Sequence, residues 1–240
     1  MPRRKSLDGT RKRILEAAER AFSQKGFRAT TIADICQMAG ANISSVNYYF
    51  GDKETLYVEA WRDAFRRSHE KHPPNGGVPP NAPAEERLRG WIQSFLRRVA
   101  DLEFRDFEIV HMEMANPTGL LFDAIREAVA PMEEALAGLL RELLGAGASL
   151  EDIELCRMSL VSQCLNPMVF QKRHNDPGRG LPPPPIPPPF LAPSLDLDLD
   201  VERIAEHVFR FTLAGLAGVI CHIATRQPSR GRRLTRGAKS

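Results

Sequence analysis

The chain has 240 residues, 33 Lys and Arg against 30 Asp and Glu, 42% apolar residues and four cysteines. An apolar share of this size supplies a real core and argues against a disordered chain, while a length of this order accommodates a small domain joined to a larger one. Charge divides unevenly, with a net +5 over residues 1–72, −8 over 73–225 and +6 over 226–240, the distribution expected when only part of a surface meets nucleic acid.

In chain order, the first pattern is a helix from Thr10 to Gly26, with Ile14, Ala18, Ala21 and Phe22 on one face. The cations Arg3, Arg4, Lys5, Arg11, Lys12 and Arg13 cluster before it or at its start. They are placed to touch phosphates or to enter a minor groove from a flexible arm over residues 1–9. Thr31 is the next N-cap, Asp34 stands where a capping acid belongs, and Ile32, Ile35, Cys36 and Ala39 repeat at helical spacing. Gly40 supplies a left-handed C-terminal position, and Asn42 or Ser44 caps a second helix. Val46 and Phe50 pack that helix inward, leaving Ser44, Ser45, Asn47, Tyr48 and Tyr49 outward. Hydroxyls, an amide and phenols are the groups that hydrogen-bond phosphates and base edges. Two short helices around a glycine turn form a helix-turn-helix. Lys53 then opens a further helix, where the helix N-terminus and an ammonium jointly suit one phosphate.

The rest of the pattern is helical and shows no convincing strand alternation. Thr55 to Lys71 buries Leu56, Ala60, Trp61, Ala64 and Phe65, and His72-Pro73-Pro74-Asn75-Gly76-Gly77 ends it. Further helices are expected from Ala84 to Leu102, Asp106 to Ala115, Leu120 to Leu144 with a break or kink at Pro131, Leu150 to Lys172 and Val201 to Thr225. Residues 174–200 hold a proline-rich loop expected to be polyproline II through Pro182 to Pro189. The basic tail 226–240 has no apolar periodicity and is expected to be disordered. Cys36, Cys156, Cys164 and Cys221 lie on helical apolar faces without C-x-x-C spacing and are expected as buried reduced thiols. The alternating Asp196, Asp198 and Asp200 do not fit a calcium loop, because Val201 stands where its glycine belongs. The longest apolar run, Leu213 to Ala224, is shorter than the roughly 20 residues a bilayer span needs. With no export signal read at the basic start, a cytoplasmic protein without membrane contact is expected.

The order and spacing of the Thr10–Gly26 helix, Gly26-Phe27, Thr30-Thr31-Ile32, Ala39-Gly40, Tyr48-Tyr49-Phe50 and Lys53-Glu54 with Leu56 resemble the TetR family of one-component transcriptional regulators. The run Asn42-Ile43-Ser44-Ser45-Val46-Asn47-Tyr48-Tyr49-Phe50, with Asn116-Pro117-Thr118 and Ser162-Gln163-Cys164, is similar to its CecR-like branch. Asn42, Ser44, Asn47 and Tyr49 depart from the commonest family pattern, which points to a different operator. The resemblance implies an all-α fold with a helix-turn-helix domain over residues 1–54 and a helical ligand-binding and dimerisation domain over 55–225. It implies a homodimer, whose four-helix interface comes from the helices at 150–172 and 201–225, that binds double-stranded DNA as a repressor. Two reading heads about one turn of DNA apart, ~34 Å or a multiple, multiply the base pairs read.

A small-molecule effector is expected to release such a repressor, and no cofactor or metal is expected. Polar groups that interrupt apolar faces in the middle helices make Glu108, His111, Met112, Met114, Phe122, Gln163, Asn166, Met168 and Phe170 the pocket candidates. Thr31, Ser44, Ser45, Asn47, Tyr48, Tyr49, Lys53, Arg4 and Arg11 are the DNA-contact candidates. An enzyme is not indicated, since no phosphate-binding glycine loop, nucleophile elbow or metal-spaced His/Cys set occurs. The alternative is a helical adaptor that binds partners through the proline-rich segment.

Overall fold

In a computed structural model of the chain, the backbone is described for residues 3–175 and 200–226, and side chains for 9–165 and 200–226. Among the described residues there are nine helices and no strand. The first four are α1 (Arg3–Ala29), α2 (Ile32–Ala39), α3 (Ile43–Phe50) and α4 (Lys53–Lys71). The remainder are α5 (Ala84–Ala100), α6 (Asp106–Ala115), α7 (Phe122–Leu144), α8 (Leu150–Asn175) and α9 (Val201–Arg226). The core of the proline-rich loop, residues 176–199, and the tail after Arg226 lie outside the described residues.

Local chemistry accounts for the boundaries of the small helices. Asp34 N–H donates to Thr31 Oγ1 at 3.1 Å and Thr31 N–H to Asp34 Oδ2 at 3.3 Å, so α2 starts in a full capping box. Gly40, at φ 58°, closes it in the left-handed conformation that only glycine adopts cheaply. Asn42 caps α3 by accepting from Ser45 N–H at 2.8 Å, and Asp52 caps α4 by accepting from Thr55 N–H at 2.7 Å. Those backbone donors, Thr31 N–H first for Asp34 and Thr55 N–H first for Asp52, hold both carboxyls below their ordinary range.

Two expectations are corrected. The basic arm expected over residues 1–9 is helical from Arg3 onward. Nothing between Arg3 and Thr10 ends a helix, since a lone glycine such as Gly9 costs only about 1 kcal/mol. At Pro131, no break occurs: α7 runs on as one helix to Leu144.

The helices enclose two cores. The first gathers Ile14, Ala18, Phe22, Ile35, Val46, Phe50, Tyr57 and Trp61 from α1–α4, and it also takes in Ile109 of α6 with Leu121 and Ala124 at the start of α7. Core contacts therefore cross residue 54, and α6 packs closely on α1 and α4. The second core joins Leu88, Ile92 and Leu96 of α5 to Leu136 and Leu140 of α7, Leu160 of α8, and Ile204, Val208 and Leu216 of α9.

Candidate nucleic-acid interface and body cavity

The reading head is a rigid apolar plug under a polar tip. Val46 and Phe50 anchor α3 from below. Ser44, Asn47 and Tyr48, at i, i+3 and i+4, stand exposed on the opposite face. Tyr48 is 75% exposed, with its ring edge-on to Tyr49 at 5.0 Å, whereas Tyr49 is half-buried against the first core. Ser45 is less free than its neighbours, because its hydroxyl donates to Asn42 Oδ1 at 2.9 Å, which leaves its oxygen as an acceptor. Thr31 is exposed, and its oxygen is the α2 cap. Lys53 lies in the first turn of α4, its ammonium 4.3 Å from the Phe27 ring centroid.

Of the two arginines expected at phosphates, Arg11 is already engaged within the chain. Arg11 is half-buried, donating to Glu59 Oε2 at 3.1 Å with its guanidinium 5.3 Å from the Phe50 centroid. It clamps α1 to α4 instead of standing free. Arg4 lies in the first turns of α1, and its side chain is outside the described residues. Ile43, to which the sequence reading gave no role, is exposed in the first turn of α3, where an apolar contact with a thymine methyl is chemically suitable.

A separate cavity of about 220 Å³ opens in the body between α4, α5, α6, α7 and α8. Its apolar wall includes Trp91, Phe95, Phe107, Met132 and Leu136, and its polar groups include His69, Ser94, Arg98, Glu133 and Arg157. Trp91 stacks on Phe95 at 5.0 Å, and Phe107 meets Phe95 edge-on at 6.0 Å. Arg98, 7% exposed, is ringed by Phe65, Phe95 and Phe107 and donates through Nη1 to Asp106 Oδ2 at 2.7 Å. Ser68 of α4 donates to the same Asp106 oxygen at 3.3 Å. His69 Nδ1 lies 2.7 Å from the Phe65 carbonyl; burial first, then the nearby Arg98 charge, pushes its pKa down to about 4.

The pocket residues expected from sequence sit elsewhere. Glu108 and Met112 are buried on α6, and His111 is half-buried there, but none of the three lines this cavity. Phe122 is 67% exposed at the start of α7, with Arg126 over its ring, and Met114 is exposed too. Gln163 lines a different groove, between α8 and α9. The side chains of Asn166, Met168 and Phe170 are outside the described residues. Among the described residues, no group of three or more His, Cys, Asp or Glu side chains is placed to hold a metal ion. One signal was available for the true lining: Trp91, Phe95 and Arg98 follow i, i+4, i+7 spacing, so a charge interrupts the aromatic stripe of α5.

The groove between α8 and α9 is lined by Leu155, Cys156, Leu160, Phe211, Gly215 and Leu216 among others. Leu155, Met158, Phe211 and Ile220 are exposed along these two helices, and so is Cys221, contrary to the buried thiol expected there. By length and composition α9 could also cross a membrane, with mean hydropathy 1.6 over its most apolar window, which the shorter run considered in the sequence did not indicate. Its other face nevertheless packs on α5 and α8 through Ile204, Val208 and Phe209, and Glu202, Glu206 and Arg210 interrupt its first half.

A polar helix tip thus stands on the first core, and a cavity opens between α4 and the helices of the body. Residues 14–60 match the profile of the bacterial regulatory proteins of the tetR family, and residues 84–176 match that of the C-terminal domain of the HTH-type transcriptional dual regulator CecR. The chain belongs to the TetR family of transcriptional regulators, and its relatives are regulators rather than enzymes. The HTH-type transcriptional regulator TtgR of Pseudomonas putida is 41% identical over 61 residues, 25% of this chain and 29% of that protein. The HTH-type transcriptional regulator RutR of Escherichia coli is 38% identical over 60 residues, 25% and 28% of the two chains. These alignments span less than a third of either relative.

Solved structures share the whole architecture. A TetR-like transcriptional regulator from Rhodococcus sp. RHA1 superposes with a TM-score of 0.62 at 20% identity, covering 87% of this chain and 96% of that one. FadR from Bacillus subtilis, in complex with stearoyl-CoA, gives a TM-score of 0.61 at 16% identity over 85% and 97%. At such identities the likeness concerns the fold alone.

Proposed function

We propose that the protein is a homodimeric repressor that binds a palindromic operator through α3 and is released when a small molecule enters the body cavity. The observation that carries this reading is the exposed polar face Ser44, Asn47 and Tyr48 on an α3 locked from beneath by Val46 and Phe50. A helix presented in this way fits a major groove, with Ser44, Ser45 and Asn47 at base edges and Tyr48, Tyr49, Thr31 and Lys53 toward phosphates. Pairing follows from the exposed apolar side chains of α8 and α9: a second copy covers Leu155, Met158, Phe211 and Ile220, which a lone chain leaves in water. The dimer accounts for the apolar character of α9 without a membrane.

Release depends on α6. Phe107 of this helix lines the cavity, and Ile109, two residues on, is buried in the core of the reading head. A ligand that favours one position of α6 thereby biases the spacing of the heads, provided that it binds the two states with different affinity. A gel-shift panel of genomic fragments, repeated across salt concentrations, tests the reading: selective retention that weakens steeply with salt supports it. Absent or salt-insensitive binding to every fragment overturns it.

A further inference from the structure

The effector cavity of the proposed repressor carries a pattern of donors and acceptors, and the inference drawn from it rests on that reading. We propose that the cavity takes an uncharged aromatic molecule bearing a carbonyl acceptor for Arg98 and a hydroxyl or N–H donor for His69.

Arg98 supplies the acceptor requirement. Arg98 is 7% exposed, lines the cavity and donates through Nη1 to Asp106 Oδ2. A guanidinium carries five N–H donors in a fixed fork, so an acceptor on a molecule in the cavity has donors of Arg98 to meet. Asp106 already neutralises the arginine at 2.7 Å, and Arg157 on the opposite wall is paired with Glu133 at 3.1 Å and Glu154 at 2.8 Å. A carboxylate entering would therefore add an uncompensated charge to a low-dielectric site, whereas a neutral carbonyl would not.

His69 supplies the donor requirement. A backbone carbonyl only accepts, so the 2.7 Å contact with Phe65 O places the proton of the neutral imidazole on Nδ1. Nε2 is then an acceptor on a cavity-lining residue, and it repels a carboxylate while favouring O–H or N–H. Trp91, Phe95 and Phe107 offer ring faces and edges between these two polar points. A volume of about 220 Å³ lies below the roughly 300 Å³ at which ordinary ligand pockets begin, so the molecule is small.

The same arginine is also the coupling residue. Its Asp106 partner begins α6 and accepts from Ser68 of α4, the helix that follows the reading head. A carbonyl that draws on Arg98 thus pulls at the junction of α4 and α6.

Isothermal titration calorimetry of the full chain at neutral pH tests the assignment with para-hydroxybenzophenone, benzophenone and para-benzoylbenzoate. The hydroxylated neutral probe should bind best, and the charged probe about tenfold or more weaker, as a buried uncompensated charge demands. Arg98→Lys keeps a cation beside Asp106 but loses the fork, and should weaken para-hydroxybenzophenone about tenfold. His69→Phe should abolish the preference for the hydroxylated probe over benzophenone. The charged probe binding as tightly as the neutral ones, unchanged affinities in both variants, or no binding by any probe overturns the ligand class. Gel shifts on the same preparation separate the two readings. DNA retention without probe binding leaves the regulator standing and removes this ligand class; probe binding as described without any DNA retention supports the cavity assignment and removes the repressor.

Discussion

Single side chains divide between those that position the DNA and those that read it. Tyr48→Ala and Lys53→Ala should weaken binding to cognate and random DNA alike, with the Lys53 variant lowering the salt slope by about 1. Asn47→Ala should instead change preference among sequences by about 1–3 kcal/mol, measured in competition gel shifts. Ser45→Ala should do the same and also loosen the α3 cap, because Ser45 already bonds Asn42. Equal losses on all DNA for all four variants would contradict the division. A second outcome concerns pH. His69 has a folded pKa of about 4, below its unfolded value, so its neutral form stabilises the fold above about pH 6.5 and that contribution is lost as pH falls from about 6.5 to about 4, on the order of 1.4 kcal/mol per unit. Thermal melts across this window should show the decline, and His69→Phe should flatten it. The Thr31–Asp34 capping box was legible in the sequence because it acts across three residues, and Asn42 was one of two capping candidates for α3. The Arg11–Glu59 pair was not legible, since its partners lie 48 residues apart and no local pattern connects them.

Helices were readable as far as their apolar periodicity reached, and their packing was not. The helix-turn-helix, the proline-rich break after α4 and the long helices of the body all follow from local spacing and breakers. The body cavity does not, because His69, Trp91, Phe107, Met132 and Arg157 come from five different helices, and Phe122 has the composition of a pocket residue yet stands in solvent. Between α4 and α5 the close approach is made by glycines. Gly76 has φ 62°, a Cβ there would overlap the backbone of Gly90, and a Cβ at Gly90 would lie 2.9 Å from the Asn75 carbonyl oxygen. Gly76→Ala should therefore lower stability by about 1–3 kcal/mol, read as a drop in Tm with helical content retained. An unchanged Tm would mean that this junction bears no constraint. Trp61, a fully buried residue of α4, belongs to the first core, and Trp61→Ala should cost about 3–5 kcal/mol.

At the scale of the whole molecule, the two cores meet at α6. This helix shares one core with α1–α4 and borders the body cavity through Phe107, the contact on which the proposed release rests and which a boundary drawn at residue 54 would hide. The family to which the chain belongs was legible because the reading head concentrates its motif within one short window. In α9, Ile204, Val208, Leu216 and Ile223 are buried inside the chain while Phe211 and Ile220 stand exposed, and the proposed pairing rests on the exposed pair. Phe211→Glu together with Leu155→Arg should yield a monomer by light scattering, with helicity kept and operator affinity lowered by at least an order of magnitude, since two heads no longer act as one ligand.

Footprinting of the wild-type protein and of Tyr48→Ala, on a genomic fragment retained in gel shifts, tests the central claim most directly. Two inverted protected segments, centred about one DNA turn or a multiple apart and lost together in Tyr48→Ala, are the expected result. A single unrepeated footprint, or one that Tyr48→Ala leaves intact, would contradict a symmetric pair reading DNA with the tip of α3.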